Sequence, residues 1–350
     1  MRNAFAEALL AAARRDPRVV LLMGDIGNRL FDPFAAECGE RFLNCGIAEA
    51  NMIGVAAGLA LSGLRPVVYT IAPFATTRCL EQIRVDLCYH QAPAVVVGVG
   101  GGFAYASLGP THHACEDLAQ LRTLPGMTVV CPGDAHEVRA ALCAALARPG
   151  PVYLRLGKKG EPRVHEREPE LVIGRALVLR AGRDVGLLAT GAILPVALEA
   201  GQRLAAAGIS AEVVSFHTVK PLDEAYLSRA FSRFRAVVSI EEHSLLGGLG
   251  SALAEWLVDR DPLPARLLRI GSADAFHGEG GSQAQARARL GLDAASIAAR
   301  TRALCERLEE REGEHADRSR DPRRDRQAPG ARPARGSGAP AGPDPGGDHP

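Results

Sequence analysis

Glu49 is the residue of this sequence whose surroundings most strongly suggest acid–base chemistry. It follows the short apolar run 42–44 and opens a stretch, residues 50–61, that consists almost wholly of small and apolar side chains. A helix that is apolar on all sides is buried, so we expect Glu49 at the mouth of a buried helix. A carboxylate in that position must be paired or protonated. The spacing is equally compatible with an acid that the helix dipole favours and with a catalytic carboxyl group.

A second set of candidates follows apolar, strand-like runs, in the loops where α/β proteins bind ligands. A glycine-rich loop over residues 100–109 leads to His112 and His113, whose imidazoles could bind an anionic or hydroxylated substrate or simply lie on the surface. Phe74 could stack on a flat ring or belong to the core. Arg155 could hold a phosphate through charge-assisted hydrogen bonds or form an ordinary salt bridge.

Other motifs point to structure more than to chemistry. Residues 241–244, Glu-Glu-His-Ser, precede the glycine-rich turn 247–250; they could form an acid–base cluster, but we favour a loop fixed at a domain or subunit interface. Residues 216–223 are predicted to form a structural turn. No spacing of His, Cys, Asp or Glu resembles a metal site, and the 100–109 loop contains no G-x-G-x-x-G before a helix. The eight cysteines form no C-x-x-C pair and are predicted to be buried free thiols of a reducing compartment.

The elements that must position these residues alternate between β-branched apolar runs and helical segments. This pattern is typical of a parallel α/β sheet with both faces covered. It occurs over residues 1–157 and again over residues 171–310, so we expect two doubly wound α/β domains. The charged segment 158–170 contains two prolines and no apolar run and is predicted to be a linker. Residues 311–350, rich in Arg, Asp, Pro and Gly, are predicted to form a disordered tail.

The overall composition excludes several classes of partner. Hydrophobic residues make up 47% of the chain and charged residues 23%, and the formal net charge is +1, so neither nucleic acid nor an anionic membrane is expected to bind. The chain opens with an amphipathic, charged helix and not with a signal peptide. The apolar stretch 52–64 is too short and too rich in glycine for a membrane span. We therefore expect a cytoplasmic protein.

Four segments together resemble the carboxyl-terminal part of the transketolases. They occur in the order of that family, and the similarity extends over about residues 1–308; the segments are 44–52, 109–113, 215–223 and 241–250. Each is weak by itself, but the combination is specific. The resemblance implies that residues 1–157 form the pyrimidine-binding domain of a thiamine-diphosphate enzyme and residues 171–310 a transketolase carboxyl-terminal domain.

The resemblance also implies roles for particular residues. Glu49 matches the glutamate that hydrogen-bonds the aminopyrimidine of the cofactor and assists its proton transfer, and Phe74 lies near the aromatic residue that stacks on that ring. Ile47 is expected to contact the cofactor as well. His112 matches a catalytic histidine that hydrogen-bonds substrate oxygens. The other expected substrate contacts are His113, Arg155 and Arg2.

Two departures from the family pattern limit what the resemblance predicts about the substrate and the cofactor site. Leu108 stands where the family has an acidic residue, and glycines replace an expected substrate histidine in the preceding loop, so specificity for pentose phosphates does not follow. The chain also lacks the Gly-Asp-Gly and the later Asn that hold Mg²⁺ and the diphosphate. The resemblance therefore implies the β-type half of a split transketolase, whose separate amino-terminal subunit binds the diphosphate and ligates Mg²⁺. An α₂β₂ assembly of the two would transfer a two-carbon ketol unit from a ketose or ketose phosphate to an aldehyde.

Two alternatives stand beside this interpretation. The β subunit of a 2-oxoacid dehydrogenase E1 and a deoxyxylulose-phosphate-synthase-like enzyme share the same half of the cofactor site, although the Gly-Pro-Thr-His-His segment favours transketolase. A non-catalytic scaffold subunit would keep the fold without the chemistry. The intact Glu49 and His112 argue against a scaffold.

Overall fold

The computed structural model describes residues 1–27, 29–278 and 280–319 of the chain. Strands and helices alternate through its first half. The strands are β1 (Val19–Met23), β2 (Phe42–Asn44), β3 (Arg65–Ile71), β4 (Val95–Val99), β5 (Thr128–Val130) and β6 (Val152–Leu156). The helices are α1 (Arg2–Arg15), α2 (Asp32–Cys38), α3 (Glu49–Leu61), α4 (Ala72–Ala75), α5 (Leu80–Gln82), a π-helix (Ile83–Tyr89), α6 (Asp117–Arg122) and α7 (Ala135–Leu146).

The second half repeats this alternation. Its strands are β7 (Leu177–Arg180), β8 (Val185–Thr190), β9 (Ala211–Ser215), β10 (Thr218–Lys220), β11 (Ala236–Ser244) and β12 (Arg266–Ser272). Its helices are α8 (Leu194–Ala206), α9 (Glu224–Arg233), α10 (Leu249–Val258), α11 (Gln283–Arg289) and α12 (Ala294–Ser319). The prediction of two α/β units is confirmed.

The first sheet brings the candidate residues to one edge. Its strand order is β10-β5-β6-β4-β3-β1-β2, and β1 to β6 run parallel. Side chains on both faces of the central strands are buried, among them Val67, Val68, Val96 and Val97, because helices cover the sheet on both sides. The carboxyl ends of β1, β2, β3 and β4 therefore lie next to one another, and the loops that follow them share that edge.

Strand β10 joins the second half of the chain to the first sheet. The segment predicted as a structural turn forms this short strand, which pairs antiparallel with β5. The amide of Cys131 donates to the carbonyl oxygen of His217 at 2.6 Å, and Lys220 Nζ donates to the carbonyl oxygen of Leu124 at 2.6 Å. The second half of the chain thus supplies an edge strand to the sheet that holds the candidate site.

The second sheet, of order β12-β11-β8-β9-β7, corrects one sequence expectation. Residues 241–244 form the buried end of β11 and not a loop. Glu241 accepts hydrogen bonds from the amides of Leu249 at 2.6 Å and Gly250 at 2.8 Å, so it satisfies the free N–H groups at the start of α10. Glu242 forms an ion pair with Arg287 at 2.8 Å. These contacts give both acids a structural role within the fold.

One further prediction differs from the structure in its bounds. The final helix continues to Ser319, beyond the expected domain end at residue 310, and the rest of the predicted tail, residues 320–350, lies outside the described residues. None of the described helices combines the length and the apolar character that crossing a membrane requires.

The predicted linker forms hydrogen bonds with two buried carboxylates at the start of α7. Asp134 Oδ2 accepts hydrogen bonds from the amides of Val164 at 2.8 Å and His165 at 2.9 Å. Glu137 Oε1 lies 2.7 Å from His165 Nε2, and its other oxygen accepts from Ser215 Oγ at 3.0 Å. Burial alone would lower the pKa of His165, but the hydrogen bond to Glu137 and the attraction of the two acids outweigh it, so its pKa is raised.

The raised pKa of His165 predicts a pH-dependent stability. A protonated His165 stabilises the folded chain fully below the ordinary histidine pKa, and this contribution is lost as the pH rises through the higher folded value. We expect His165→Asn to lower the free energy of unfolding by about 1.5–3 kcal/mol at pH 6, the usual range for a hydrogen bond to a charged group, and by less at pH 9. Urea denaturation at both pH values checks this. His90→Asn, at an exposed histidine, is the control, and an equal loss at both pH values would contradict the assignment.

Candidate active site

The candidate residues come from three neighbouring strands. Glu49 begins α3 shortly after β2 ends, Phe74 lies in the helical turn that follows β3, and His112 lies in the loop that follows β4. Neighbouring parallel strands place such loops at one edge of the sheet, where α/β proteins bind ligands. The structure brings these three side chains together through Arg78.

Glu49 is buried and paired. It is 1% exposed, and its Oε2 accepts a hydrogen bond from Arg78 Nη1 at 2.6 Å. Thr70 Oγ1 donates to Oε1 over a longer distance of 3.3 Å. The first turn of α3 adds the positive end of its dipole. Of the two states expected for a buried carboxyl, paired or protonated, the structure shows the paired one.

The backbone of Gly24 lies close to Thr70 and Glu49. A Cβ atom built on Gly24, at the end of β1, would lie 3.0 Å from Thr70 Oγ1 and 3.5 Å from Glu49 Cγ. A side chain at position 24 would therefore crowd the surroundings of the acid. The oxygen that Thr70 contacts at long range retains hydrogen-bonding capacity, so the carboxyl can still bond to a ligand nitrogen.

Phe74 and His112 form an aromatic wall next to this acid. The guanidinium carbon of Arg78 lies 4.2 Å from the Phe74 ring centroid, a cation–π distance. The Phe74 and His112 rings meet edge to face, with centroids 5.3 Å apart. Thr111 Oγ1 lies 2.9 Å from His112 Nδ1, which fixes the ring orientation and leaves Nε2 for another partner. Arg78 therefore links the acid to the aromatic wall.

Arg155 and His113 do not join this group. Arg155 is 4% exposed; its Nε donates to Asp117 Oδ2 at 2.7 Å, and its Nη2 donates to the carbonyl oxygens of Ala114 at 2.6 Å and Glu242 at 3.0 Å. His113 is 8% exposed, and its ring packs edge-on against Phe103. Both side chains point into the protein, and the structure does not bring them together with Glu49, Phe74 and His112.

Ile47 and Arg2 have contrasting environments. Ile47 is 79% exposed, just before α3. Arg2 is half-buried beside Tyr105; burial raises the pKa of Tyr105, and the positive charge of Arg2 offsets part of that rise. Lys158 Nζ lies 4.8 Å from the Tyr105 centroid, and that centroid is 6.4 Å from the His112 ring. Two basic side chains thus flank the outer end of the aromatic wall.

Sequence reasoning missed Arg78, Lys158 and Tyr105. Arg78 follows Phe74 by four positions, but α4 ends at Ala75, so no helical spacing connects the two side chains. Lys158 and Tyr105 have no local sequence signal either. They come together only because β4 and β6 are neighbours in the sheet.

One face of α3 departs from the expectation of a helix buried on all sides. Asn51, Val55, Gly58 and Leu61 are exposed, and Leu61 retains 61% of its surface. The only charged residue of this helix is Glu49 at its first position. An uncharged, partly apolar helix face in solvent is typical of a surface that another protein covers.

Comparisons with known proteins agree with this architecture. The chain matches the family model "Transketolase, pyrimidine binding domain" over residues 1–162 and the model "Transketolase, C-terminal domain" over residues 174–297. It is 39% identical over 279 residues to an apulose-4-phosphate transketolase subunit from Phocaeicola vulgatus, a similarity that covers 79% of this chain and 89% of that protein.

Two further similarities extend over most of both chains. The 6-deoxy-6-sulfo-D-fructose transketolase subunit SqwH of Clostridium sp. is 39% identical over 308 residues, covering 88% of this chain and 95% of that protein. A solved structure described as a split gene transketolase, an inactive beta4 tetramer, is 39% identical with a TM-score of 0.77, covering 85% of this chain and 95% of that one.

Proposed function

Because the chain belongs to the transketolase family, we propose that it is the β-type, carboxyl-terminal subunit of a split, thiamine-diphosphate-dependent transketolase. Together with a diphosphate-binding subunit it would transfer a two-carbon ketol unit from a ketose to an aldehyde. The observation that supports this most directly is the buried Glu49 carboxyl, held by Arg78 at 2.6 Å beside the wall of Phe74 and His112. This arrangement of an acid and aromatic rings fits one half of a cofactor site.

The donor set at this edge fits the aminopyrimidine part of thiamine diphosphate. A carboxyl group suits a ring nitrogen, and the Phe74 face suits a flat heterocycle. A side chain larger than that of glycine at position 24 would crowd Thr70 next to the acid. Glu49 and Phe74 would hold the ring, with Ile47 at its rim. No group of three or more His, Cys, Asp and Glu side chains that could hold a metal occurs among the described residues, and we assign the Mg²⁺ and diphosphate contacts to the partner subunit.

Glu49 and His112 are assigned different roles in the reaction. When bound, thiamine diphosphate supplies the carbon nucleophile and the electron sink that ketol transfer requires. Glu49 would accept and return a proton at the pyrimidine nitrogen, and the Arg78 contact fixes the position of its carboxyl group. His112, oriented by Thr111 at 2.9 Å, donates to substrate oxygens where negative charge develops.

The basic residues beside Tyr105 suit an anionic substrate. The names of the two related subunits specify a phosphate and a sulfo group on their substrates. Arg2 and Lys158 lie on the His112 side of the aromatic wall, whereas Arg155 is enclosed by Asp117 and two carbonyl oxygens. We therefore assign the anionic end of the sugar to Arg2 and Lys158, and a structural role to Arg155.

A reconstituted pair of subunits tests this function. This chain, mixed with an amino-terminal transketolase subunit, thiamine diphosphate and Mg²⁺, is expected to transfer a ketol unit from phosphorylated or sulfonated ketoses to an aldehyde in a coupled assay. Neutral ketoses are expected to react with a higher KM. A pair that transfers no ketol unit from these ketoses but, when pyruvate is supplied as the donor, joins its two-carbon unit to the aldehyde with release of CO₂ would support the deoxyxylulose-phosphate-synthase-like alternative instead.

The uncharged face of α3 is proposed to be covered in the assembly. Val55 is 38% exposed in the middle of that face, and a carboxylate buried there without a partner would cost several kcal/mol. We expect Val55→Glu to weaken assembly at least about 100-fold, equivalent to about 2.7 kcal/mol, without unfolding the chain. Sedimentation velocity of the variant, alone and with the partner subunit, measures this.

Val258→Glu is the matched control for this prediction, because Val258 is 79% exposed at the end of α10. We expect it to assemble as the wild-type chain does. Equal assembly of Val55→Glu and the wild type would show that the α3 face stays in solvent.

A further inference from the structure

The guanidinium group of Arg78 makes two contacts at once, and the proposed function assigns both of them to the aminopyrimidine of the cofactor. Its Nη1 donates to Glu49 Oε2 at 2.6 Å, and its central carbon lies 4.2 Å from the centroid of the Phe74 ring. A guanidinium group is planar and stacks on aromatic faces, as a flat heterocycle does. In the chain by itself, Arg78 therefore fills the contacts of a flat, nitrogen-containing ring.

The side of the Phe74 ring that Arg78 covers is the side next to the acid. One guanidinium group reaches both the Glu49 carboxyl and the ring, so the two contacts are separated by no more than the width of that group. A ligand ring that stacks on Phe74 and bonds to Glu49 would occupy the same volume. The ligand ring and the guanidinium group therefore exclude each other from this position.

The backbone around Arg78 is held by two local hydrogen bonds. Thr76 Oγ1 donates to the carbonyl oxygen of Ala72 at 2.8 Å, and the Cys79 thiol donates to the carbonyl oxygen of Phe74 at 3.0 Å. Thr76 and Cys79 are both buried. Because these bonds fix the segment that carries Phe74, we assign any rearrangement at this position to the Arg78 side chain.

The Arg78 side chain has access to solvent. It is 43% exposed, whereas the side chain of its partner Glu49 is 1% exposed, and exposed side chains change rotamer rapidly. Arg78 bonds to Oε2 of the acid, while Oε1, which Thr70 contacts at 3.3 Å, keeps capacity for a ligand nitrogen. The guanidinium group can thus turn away from Phe74 toward solvent and retain its hydrogen bond to Glu49.

We propose that Arg78 is a placeholder, which closes the pyrimidine half-site of the unassembled chain and turns away from Phe74 before an aminopyrimidine can bind. The inference rests on the proposed function, because that function assigns the ring to Glu49 and Phe74. A site that is open in only a fraction of the molecules has an apparent affinity reduced by that fraction. The isolated chain would therefore bind the ring weakly, and the partner subunit, through its diphosphate contacts, would provide the binding free energy that displaces Arg78.

Calorimetric titration of the isolated full chain with thiamine tests the placeholder without any turnover. Thiamine carries the aminopyrimidine and no diphosphate, so its affinity reports on this half of the site. We expect Arg78→Ala to tighten thiamine binding at least about tenfold, equivalent to about 1.4 kcal/mol, because it uncovers Phe74. Arg78→Lys keeps a positive charge beside Glu49 without the planar group, and we expect a smaller gain from it. Arg14→Ala, at an exposed ion pair with Glu37, is the matched control and is expected to bind thiamine as the wild type does.

Equal or weaker thiamine binding by the folded Arg78 variants would overturn the proposal, because the guanidinium group would then support the ligand ring or take no part in its binding. Absence of thiamine binding by the wild type and both variants at millimolar thiamine would overturn it as well. Ketol transfer by the wild-type pair of subunits is measured separately. Transfer together with equal thiamine affinities would contradict the placeholder alone, whereas a pair without transfer would contradict the proposed function and this inference with it.

Discussion

Replacing Glu49 by Gln is expected to lower kcat of the reconstituted enzyme by about 10²–10⁴-fold, the usual contribution of a positioned acid–base group. Gln keeps the shape of the side chain and can still accept the hydrogen bond from Arg78, but it cannot take up or release a proton at the pyrimidine. Steady-state kinetics of the wild-type and variant pairs measure the change.

The folded state of the Glu49→Gln chain is the necessary check. The substitution replaces a charged acceptor at 2.6 Å from Arg78 Nη1 with a neutral one, so we expect a loss of no more than about 1.5–3 kcal/mol in the free energy of unfolding. Glu37→Gln, at an exposed ion pair with Arg14, is the matched control for loss of a carboxylate. Full kcat in the Glu49→Gln pair would remove Glu49 from the chemistry.

Replacing Arg155 by Met is expected to destabilise the isolated chain by about 3–5 kcal/mol, because breaking a buried ion pair leaves an uncompensated charge. Asp117 is 2% exposed; its Oδ2 would lose the hydrogen bond from Arg155 and keep the one from Tyr153 at 2.7 Å. Burial alone would lower the pKa of Arg155, but the Asp117 carboxylate outweighs it and keeps that pKa above its ordinary value. Arg155 is therefore charged in the folded chain.

Urea denaturation at neutral pH measures this effect. Arg203→Met, at an exposed pair with Glu199, is expected to change the free energy of unfolding by less than about 1 kcal/mol. The double variant Arg155→Met, Asp117→Leu is expected to regain part of the lost stability, because it removes both charges. A stable Arg155→Met chain whose only defect is a raised KM would instead restore the role in substrate binding that the family resemblance implies.

Much of the α/β fold could be predicted from the sequence for physical reasons. The β-branched runs of the strands are buried on both faces, and this pattern is what makes a parallel α/β sheet predictable. The burial of Glu49 followed from the apolar residues after it. Its partner did not, because the contact with Arg78 depends on where the turn after β3 lies relative to α3.

The contacts within the chain that the sequence did not predict share one cause, because long-range contacts leave no local sequence pattern. Arg155 and Asp117 are separated by 38 positions, so the sequence could not decide between a phosphate ligand and a structural arginine. Residues 241–244 contain two acids and a histidine and looked like a loop, yet β11 continues through them because Glu241 has the N–H groups of α10 to accept from. The exposed face of α3 was not predicted for a different reason. Its residues remain exposed in the described part of the chain, and an apolar sequence predicts burial without indicating which chain covers the surface.

The measurement that tests the central claim most directly is the turnover of a fixed amount of amino-terminal transketolase subunit as this chain is added, with thiamine diphosphate and Mg²⁺ in excess. If the two chains each provide half of one site, ketol transfer is absent for either chain alone, rises with added chain and saturates at an equimolar ratio. An excess of Glu49→Gln chain should then suppress the activity of the wild-type pair by occupying the same partner. Turnover by this chain alone, or activity that does not depend on the ratio of the two chains, would contradict the account.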